Sequence, residues 1–186
     1  MINRKIDVDI WKDKKMRKDI SNLRVRYFWL FLLTCPLSTT CGIFKITFDE
    51  MSFYTDLDID ECKQYLMTLH DLNLIEYNTE TEEIAIFNYP KYNIYGWTDQ
   101  VSMLLKKELM AVQDQNLIRL MCKTMQRFID THQKEKFKCE LIYRIMKLYE
   151  ASLEEHEPKK EKQKEIIPSW EEMITELGEG DRKNEL

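Results

Sequence analysis

The sequence predicts a mostly α chain of the α+β class, and three observations point there. Only four glycines and four prolines occur among 186 residues, too few for a loop-rich all-β protein. Hydrophobic residues make up 44% of the chain, enough for a substantial core. Their spacing follows the i, i+3, i+4 rhythm of helices, except in short alternating stretches between residues 42 and 88.

Residues 11–16 read as a short amphipathic turn, followed by a break at Asp19–Asn22. Ser21 or Asn22 offers a side-chain oxygen to cap the next helix, which runs to about Thr34 and stops before Pro36. CPLSTTCG (35–42) is a loop of turn formers, and GIFKITF (42–48) alternates as a half-buried strand does. Asp49 is expected to cap a short helix through about Tyr54. Asp58, with Glu61 three positions later, forms an acidic capping box for another. That helix sets Ile59, Cys62, Leu66 and Leu69 on one face, and Asp60, Lys63, Gln64, Met67, Thr68 and Asp71 on the other. LIEY (74–77), NTETEE (78–83) and IAIFN (84–88) read as a hairpin whose tip carries Glu80, Glu82 and Glu83. Helix, strand, helix, helix, strand, turn, strand is the order of a winged helix-turn-helix domain, expected here over residues 7–95. Its second paired helix (59–72) stands where nucleic-acid-binding members read a groove.

From Gly96 the pattern is helical only, a helical extension over residues 96–153. Val101, Leu104, Leu105, Leu109 and Val112 stripe one helix. Ile118, Met121, Cys122, Met125, Phe128 and Ile129 stripe the next, and Phe137, Leu141, Ile145 and Leu148 a third. These stripes can pack on the first domain or on a second copy of the chain, and periodicity does not choose; the extension is a candidate for oligomerisation. Residues 154–165 are almost entirely charged and read as a solvated linker. Residues 166–186 read as a short helical peptide and tail, in which Trp170, Ile174 and Leu177 form a partner-binding stripe or fold back on their own domain.

Charge is distributed unevenly. Residues 1–30 hold nine Lys/Arg against four acids, whereas residues 31–95 hold three Lys against eleven acids. An anionic partner would therefore approach the first thirty residues. Lys12, Lys14, Lys15, Arg17 and Lys18 cluster within seven residues, and Arg24 and Arg26 follow, with Tyr27 and Trp29 nearby. The competing reading is an ordinary solvated face. Lys45, Lys63 and Gln64 are further candidates for DNA contact, but Asp58, Asp60, Glu61 and Asp71 surround the last two and oppose a phosphate backbone. The run Tyr27, Phe28, Trp29 and Phe31 reads as core rather than as a stacking platform. Tyr89, Tyr92, Tyr95 and Trp97 either cement the two halves or form a dimer contact.

Catalysis is not expected. His70, His132 and His156 lie far apart, no glycine-rich phosphate loop occurs, and the five cysteines form no CxxC pair. They read as free thiols of a reducing, cytoplasmic protein, with no cofactor or metal. The first residues, MINRKIDVDIW, are charged and lack the apolar region of a signal peptide, so none is expected there. The longest apolar run, Tyr27–Cys35, is half the length a bilayer requires, so no membrane association is expected.

Several segments together resemble a known family. They are Trp11 with Asp13, the helix end LLTCP (32–36), the strand CGIFKIT (41–47), the helix pair MSFYTDLDIDE (51–61) and the exit FNYPKYN (87–93). The stretch resembles the N-terminal domain of replisome-organiser proteins of phages from Gram-positive hosts, relatives of the DnaD-type primosome proteins; the likeness fades by about Ile118. The resemblance implies a non-enzymatic part in starting DNA replication: binding origin or single-stranded DNA, self-associating as a homo-oligomer, and recruiting a helicase or helicase loader. Many relatives continue into a helical DNA-binding module with a Tyr…Ile…Trp motif, which this sequence lacks. The alternative expectation is a phage-encoded winged-helix interaction factor that regulates or inhibits a host nucleic-acid machine without reading DNA. A transcription repressor is disfavoured by the acidic reading helix.

Overall fold

The computed structural model describes residues 6–156, so the charged linker beyond His156 and the peptide with Trp170, Ile174 and Leu177 lie outside the described residues. The described chain is mostly helical with one three-stranded antiparallel sheet, an α+β architecture.

A 3₁₀ turn (Val8–Lys12) and a single π turn (Lys15–Asp19) precede α1 (Leu23–Thr34), so the predicted break begins only at Ile20. Asn22 caps α1, its Oδ1 accepting from the Arg24 N–H at 2.8 Å. Strand β1 is shorter than the alternating pattern suggests and covers Ile43–Lys45. It ends early because Thr47, rather than Asp49, caps α2 (Phe48–Thr55). Thr47 Oγ1 accepts from the Glu50 N–H at 3.1 Å, and the Glu50 carboxylate accepts from the Thr47 N–H at 2.8 Å. That reciprocal pair satisfies two helix-end donors at once, and Asp49 falls in the first turn. Helix α3 (Ile59–Asp71) begins where the acidic capping box predicts, with the Glu61 carboxylate accepting from the Asp58 N–H at 3.3 Å. Cys62, Tyr65, Leu66 and Leu69 are its buried residues, while Ile59, expected inside, is exposed in the first turn.

Strands β2 (Ile75–Asn78) and β3 (Glu83–Ile86) form the hairpin, and β3 is the middle strand of the order β1-β3-β2. Ile84 lies opposite Phe44 on β1 and Tyr77 on β2. A short helix α4 (Tyr89–Asn93) leads to α5 (Asp99–Met110), α6 (Gln115–Thr131) and α7 (Lys136–His156). Helix α7 carries the regular structure through Glu154, Glu155 and His156, three residues that the charge pattern assigns to a linker.

Two hydrophobic cores lie on the two faces of the sheet. Side chains of a strand alternate between faces, so neighbours on one strand can serve different cores. Phe44, Ile84 and Ile86 pack with Phe28, Leu32, Met51, Leu66 and Leu69 from α1, α2 and α3. Ile43 and Ala85 pack with Leu105, Leu109, Met121, Met125, Ile145 and Tyr149 from α5, α6 and α7. All four residues of β3 are buried. The stripes of the helical extension thus find their partner within the chain, on the second face of the sheet. Leu104 and Phe137 are the exceptions and remain exposed, at the edge of the α5 stripe and in the first turn of α7. Tyr89 is buried in the first core and Trp97 packs against the second, while Tyr92 and Tyr95 stay exposed.

Candidate nucleic-acid interface

The basic stretch Lys12–Arg26 does not fold as one cationic face. Lys12 pairs with Asp9 at 2.6 Å within the first turn. The Lys15 ammonium turns toward the protein and donates to the Leu72 carbonyl at 2.5 Å and the Asn73 carbonyl at 3.5 Å. Those carbonyls close the C-terminal end of α3, where helix partners run out and the macrodipole is negative. Arg26 ties α1 to the preceding segment, with Nε donating to the Ile20 carbonyl at 2.7 Å and Nη2 to the Arg17 carbonyl at 3.1 Å. Arg24 is held by Glu61. Lys14, Arg17 and Lys18 remain. All three are exposed on or beside the π turn, and among the described residues their side chains have no ion pair or hydrogen bond.

The other candidates are similarly divided. Lys45 is exposed on β1 and pairs with Glu82 of the hairpin at 3.1 Å. Lys63 pairs with Asp60 at 3.3 Å and lies over the Phe48 ring, 5.6 Å from its centroid. Gln64 is exposed and faces a cleft of about 200 Å³ between the start of α1 and α3, lined also by Asp19, Ser21, Asn22 and Thr68. The structure therefore brings Gln64 together with the chain that follows Lys18, and Lys45 is not among the residues lining that cleft. Thr68, one helical turn beyond Gln64, shares with it the outer face that helical spacing assigns to both, whereas Ser21 and Asn22 are polar residues of this cleft that the sequence pattern did not connect with it.

The hairpin is less acidic and less free than its sequence suggests. Glu80 is exposed, and Glu82 is half-buried against Lys45. Glu83 is 5% exposed and does not belong to the tip at all. Its carboxylate accepts from the Gln113 N–H at 2.9 Å and the Asp114 N–H at 2.8 Å, at the start of α6. Asn78 adds a third tie, Nδ2 donating to Asp114 Oδ2 at 2.7 Å. One side of the hairpin base is thus clamped to α6.

A larger cleft of about 510 Å³ lies beneath the N-terminal turns, with an apolar floor that includes Met16, Trp29, Leu74 and Tyr89 and with Asp7, Asp13 and Lys15 among its polar walls. Near Tyr92, which also lines this cleft, the Lys91 ammonium stands 4.1 Å from the Phe128 ring centroid and 4.9 Å from that of Tyr92. Burial, aided by the neighbouring Lys138, pushes its pKa below the usual lysine value.

All five cysteines are free thiols. Burial pushes Cys41 and Cys122 up to about 12, so neither is a nucleophile at neutral pH. Among the described residues no group of His, Cys, Asp and Glu could hold a metal ion, and no helix is long and apolar enough to cross a membrane.

No protein-family model, no curated protein and no solved structure matches this chain.

Proposed function

We propose that the chain is a phage-type replication-initiation protein, a DNA-binding scaffold without catalysis that brings a helicase or helicase loader to the DNA. In this reading α1–α3 with the β2–β3 hairpin are a winged helix-turn-helix domain, and α3 is its second paired helix. The observation that carries the reading is the meeting of two features at one place. Lys14, Arg17 and Lys18 are exposed without ion partners, and the chain directly after them lines the cleft against Gln64 and Thr68 of α3. Cations for phosphates and amide and hydroxyl groups for bases or sugars are then adjacent. Asp60 and Asp71 flank the outer face of α3, so the electrostatic part of binding falls to the N-terminal segment. Lys15 and Arg26 serve the fold and position that segment rather than contact DNA.

The test is an anisotropy titration of full-length protein with fluorescent single-stranded and duplex oligonucleotides over a salt series. Binding should weaken steeply with salt, and K14Q/R17Q/K18Q should lower the slope of log K against log salt by about 2–3. No binding at low salt, or a slope unchanged in the variant, would overturn the reading.

A second reading has its own observation. Phe53 is 79% exposed on α2, in ring contact with Tyr54, and Asp49 and Asp56 stand on the same helix and its cap. An apolar surface bordered by carboxylates suits a protein partner and repels DNA. Such a surface favours an interaction factor acting on a host nucleic-acid machine. Pull-down with wild type and F53A separates the two. Recovery of a helicase or loader supports the first reading, and Phe53-dependent recovery of a nuclease or polymerase supports the second.

A further inference from the structure

The outer face of α6 carries a row of cations that the fold does not use. Arg119, Lys123 and Arg127 recur at every fourth residue and all three are exposed. The same helix buries Leu117, Ile118, Met121, Met125 and Phe128 in the second core, so the row lies on the side directed away from that core. An amphipathic helix always presents a polar face, and the simplest account is a solvated one. Among the described residues most cations of the neighbouring helices are paired, with Lys107 of α5 and Lys136 of α7 as single unpaired exceptions. On α7, Arg144 pairs with Glu140 at 2.6 Å and Lys147 with Glu150 at 2.6 Å; on α5, Lys106 pairs with Glu155 at 2.7 Å. On α6 the pairing fails. Among the described residues Arg119, Lys123 and Arg127 have no ion pair or side-chain hydrogen bond. The sole acid within the helix, Asp130, accepts from Gln126 Nε2 at 2.8 Å. Like charges four residues apart on a helix repel one another. In a chain of net charge −5, three unpaired cations in line are a local reversal of sign without any return in folding.

We propose that the outer face of α6 binds the phosphodiester backbone of a nucleic acid, independently of base sequence. Four helical residues advance about 6 Å, close to the roughly 6–7 Å between neighbouring phosphates of one DNA strand once the duplex's rotation is added to its rise of about 3.4 Å, so successive cations meet successive phosphates. The two arginines present planar forks suited to phosphate oxygens, and Lys123 between them supplies a point charge. Asn116 and Gln126, exposed on the same helix, supply amide donors. This surface is separate from the N-terminal segment invoked for the proposed function and stands or falls without it.

The test uses full-length protein, mixed-sequence fluorescent oligonucleotides in duplex and single-stranded form, and phosphatidylserine vesicles. R119Q/K123Q/R127Q should bind oligonucleotide at least about tenfold more weakly at low salt. Its slope of log K against log salt should fall by about 2–3 on the duplex and about 2 on the single strand. Its circular dichroism and urea midpoint should match wild type; should the triple variant unfold, each single variant should lower the slope by about one. The charge-conserving R119K/R127K should keep the wild-type slope. Loss in the α6 variant but not in K14Q/R17Q/K18Q supports this proposal and moves DNA contact away from the N-terminus. The converse overturns it and leaves the proposed function intact. Wild type that binds neither oligonucleotide, or that binds only the vesicles, overturns it as well.

Discussion

Glu83 ties the central strand of the sheet to the entry of α6. In the string NTETEE it is one acid among three at a turn, and nothing local distinguishes it from Glu82. In the fold it is the first residue of the central strand, and its two oxygens each accept a backbone N–H from the start of α6. Those N–H groups belong to a helix entry, where no carbonyl is available to them. Glu83→Ala should therefore cost about 2–3 kcal/mol, the range for losing hydrogen bonds to a charged, buried carboxylate. Glu80→Ala, at an exposed site, should stay within about 0.5 kcal/mol. Urea denaturation of both variants checks this, and equal midpoints would contradict it. Lys15 and Arg26 teach the same lesson. Sequence places both in a cationic run, but their partners are carbonyls, which no charge count registers.

At the scale of elements, amphipathic pattern gave α3 to within a residue and located α5, α6 and α7 by their stripes, because a helix that buries one side writes a 3.6-residue period. Element ends were less legible where two caps compete, as Thr47 and Asp49 do at α2. How α7 is held was not legible at all. Tyr149 is fully buried and its hydroxyl donates to the Cys41 carbonyl, across more than a hundred residues of chain. Its neighbours Cys41 and Cys122 share the second core or its edge. Burial raises Cys41 and Cys122 from 9.0 to about 12 and also raises Tyr149, in each case by disfavouring the charged form. The sign of the stability effect follows. Below pH 9.0 both states keep these protons and no penalty exists. Above it the unfolded chain ionises while the folded chain does not, so stability falls, by about 1.4 kcal/mol per pH unit for the fully buried Cys41 until its folded pKa is reached, and by less for Cys122, whose partial exposure screens the effect. Urea midpoints should be level from about pH 7 to 8.5 and decline above 9, and Cys122→Ala should make the decline shallower. A midpoint constant to pH 11 would refute the burial argument.

For the molecule as a whole, the sheet is the shared wall of two cores. Ile43 and Ala85 face α5–α7 while Phe44, Ile84 and Ile86 face α1–α3, and residues 6–156 belong to one compact unit. The first 95 residues should then fail to behave as an independent domain. A fragment ending at Tyr95 uncovers the second face of the sheet and leaves Asn78 and Glu83 without their partners on α6. It should aggregate, or unfold without a cooperative transition, whereas residues 1–156 should unfold cooperatively; scanning calorimetry distinguishes the two. A sharp two-state transition in the short fragment would show that the helices are an accessory.

The sequence by itself determined the α+β class, the order of the main elements apart from the short α4, most of the buried stripe of α3 and that of α6, and the separation of a basic start from an acidic middle. These are properties of spacing and composition, and they act over one or two turns of chain. Only the tertiary structure decided which cations remain available, that the stripes of α5–α7 close on the chain's own sheet, and that an acid of the hairpin caps a distant helix. Each of those depends on which groups meet across dozens of residues, where burial and an opposing carbonyl or N–H, rather than charge in the local string, set what a side chain can do.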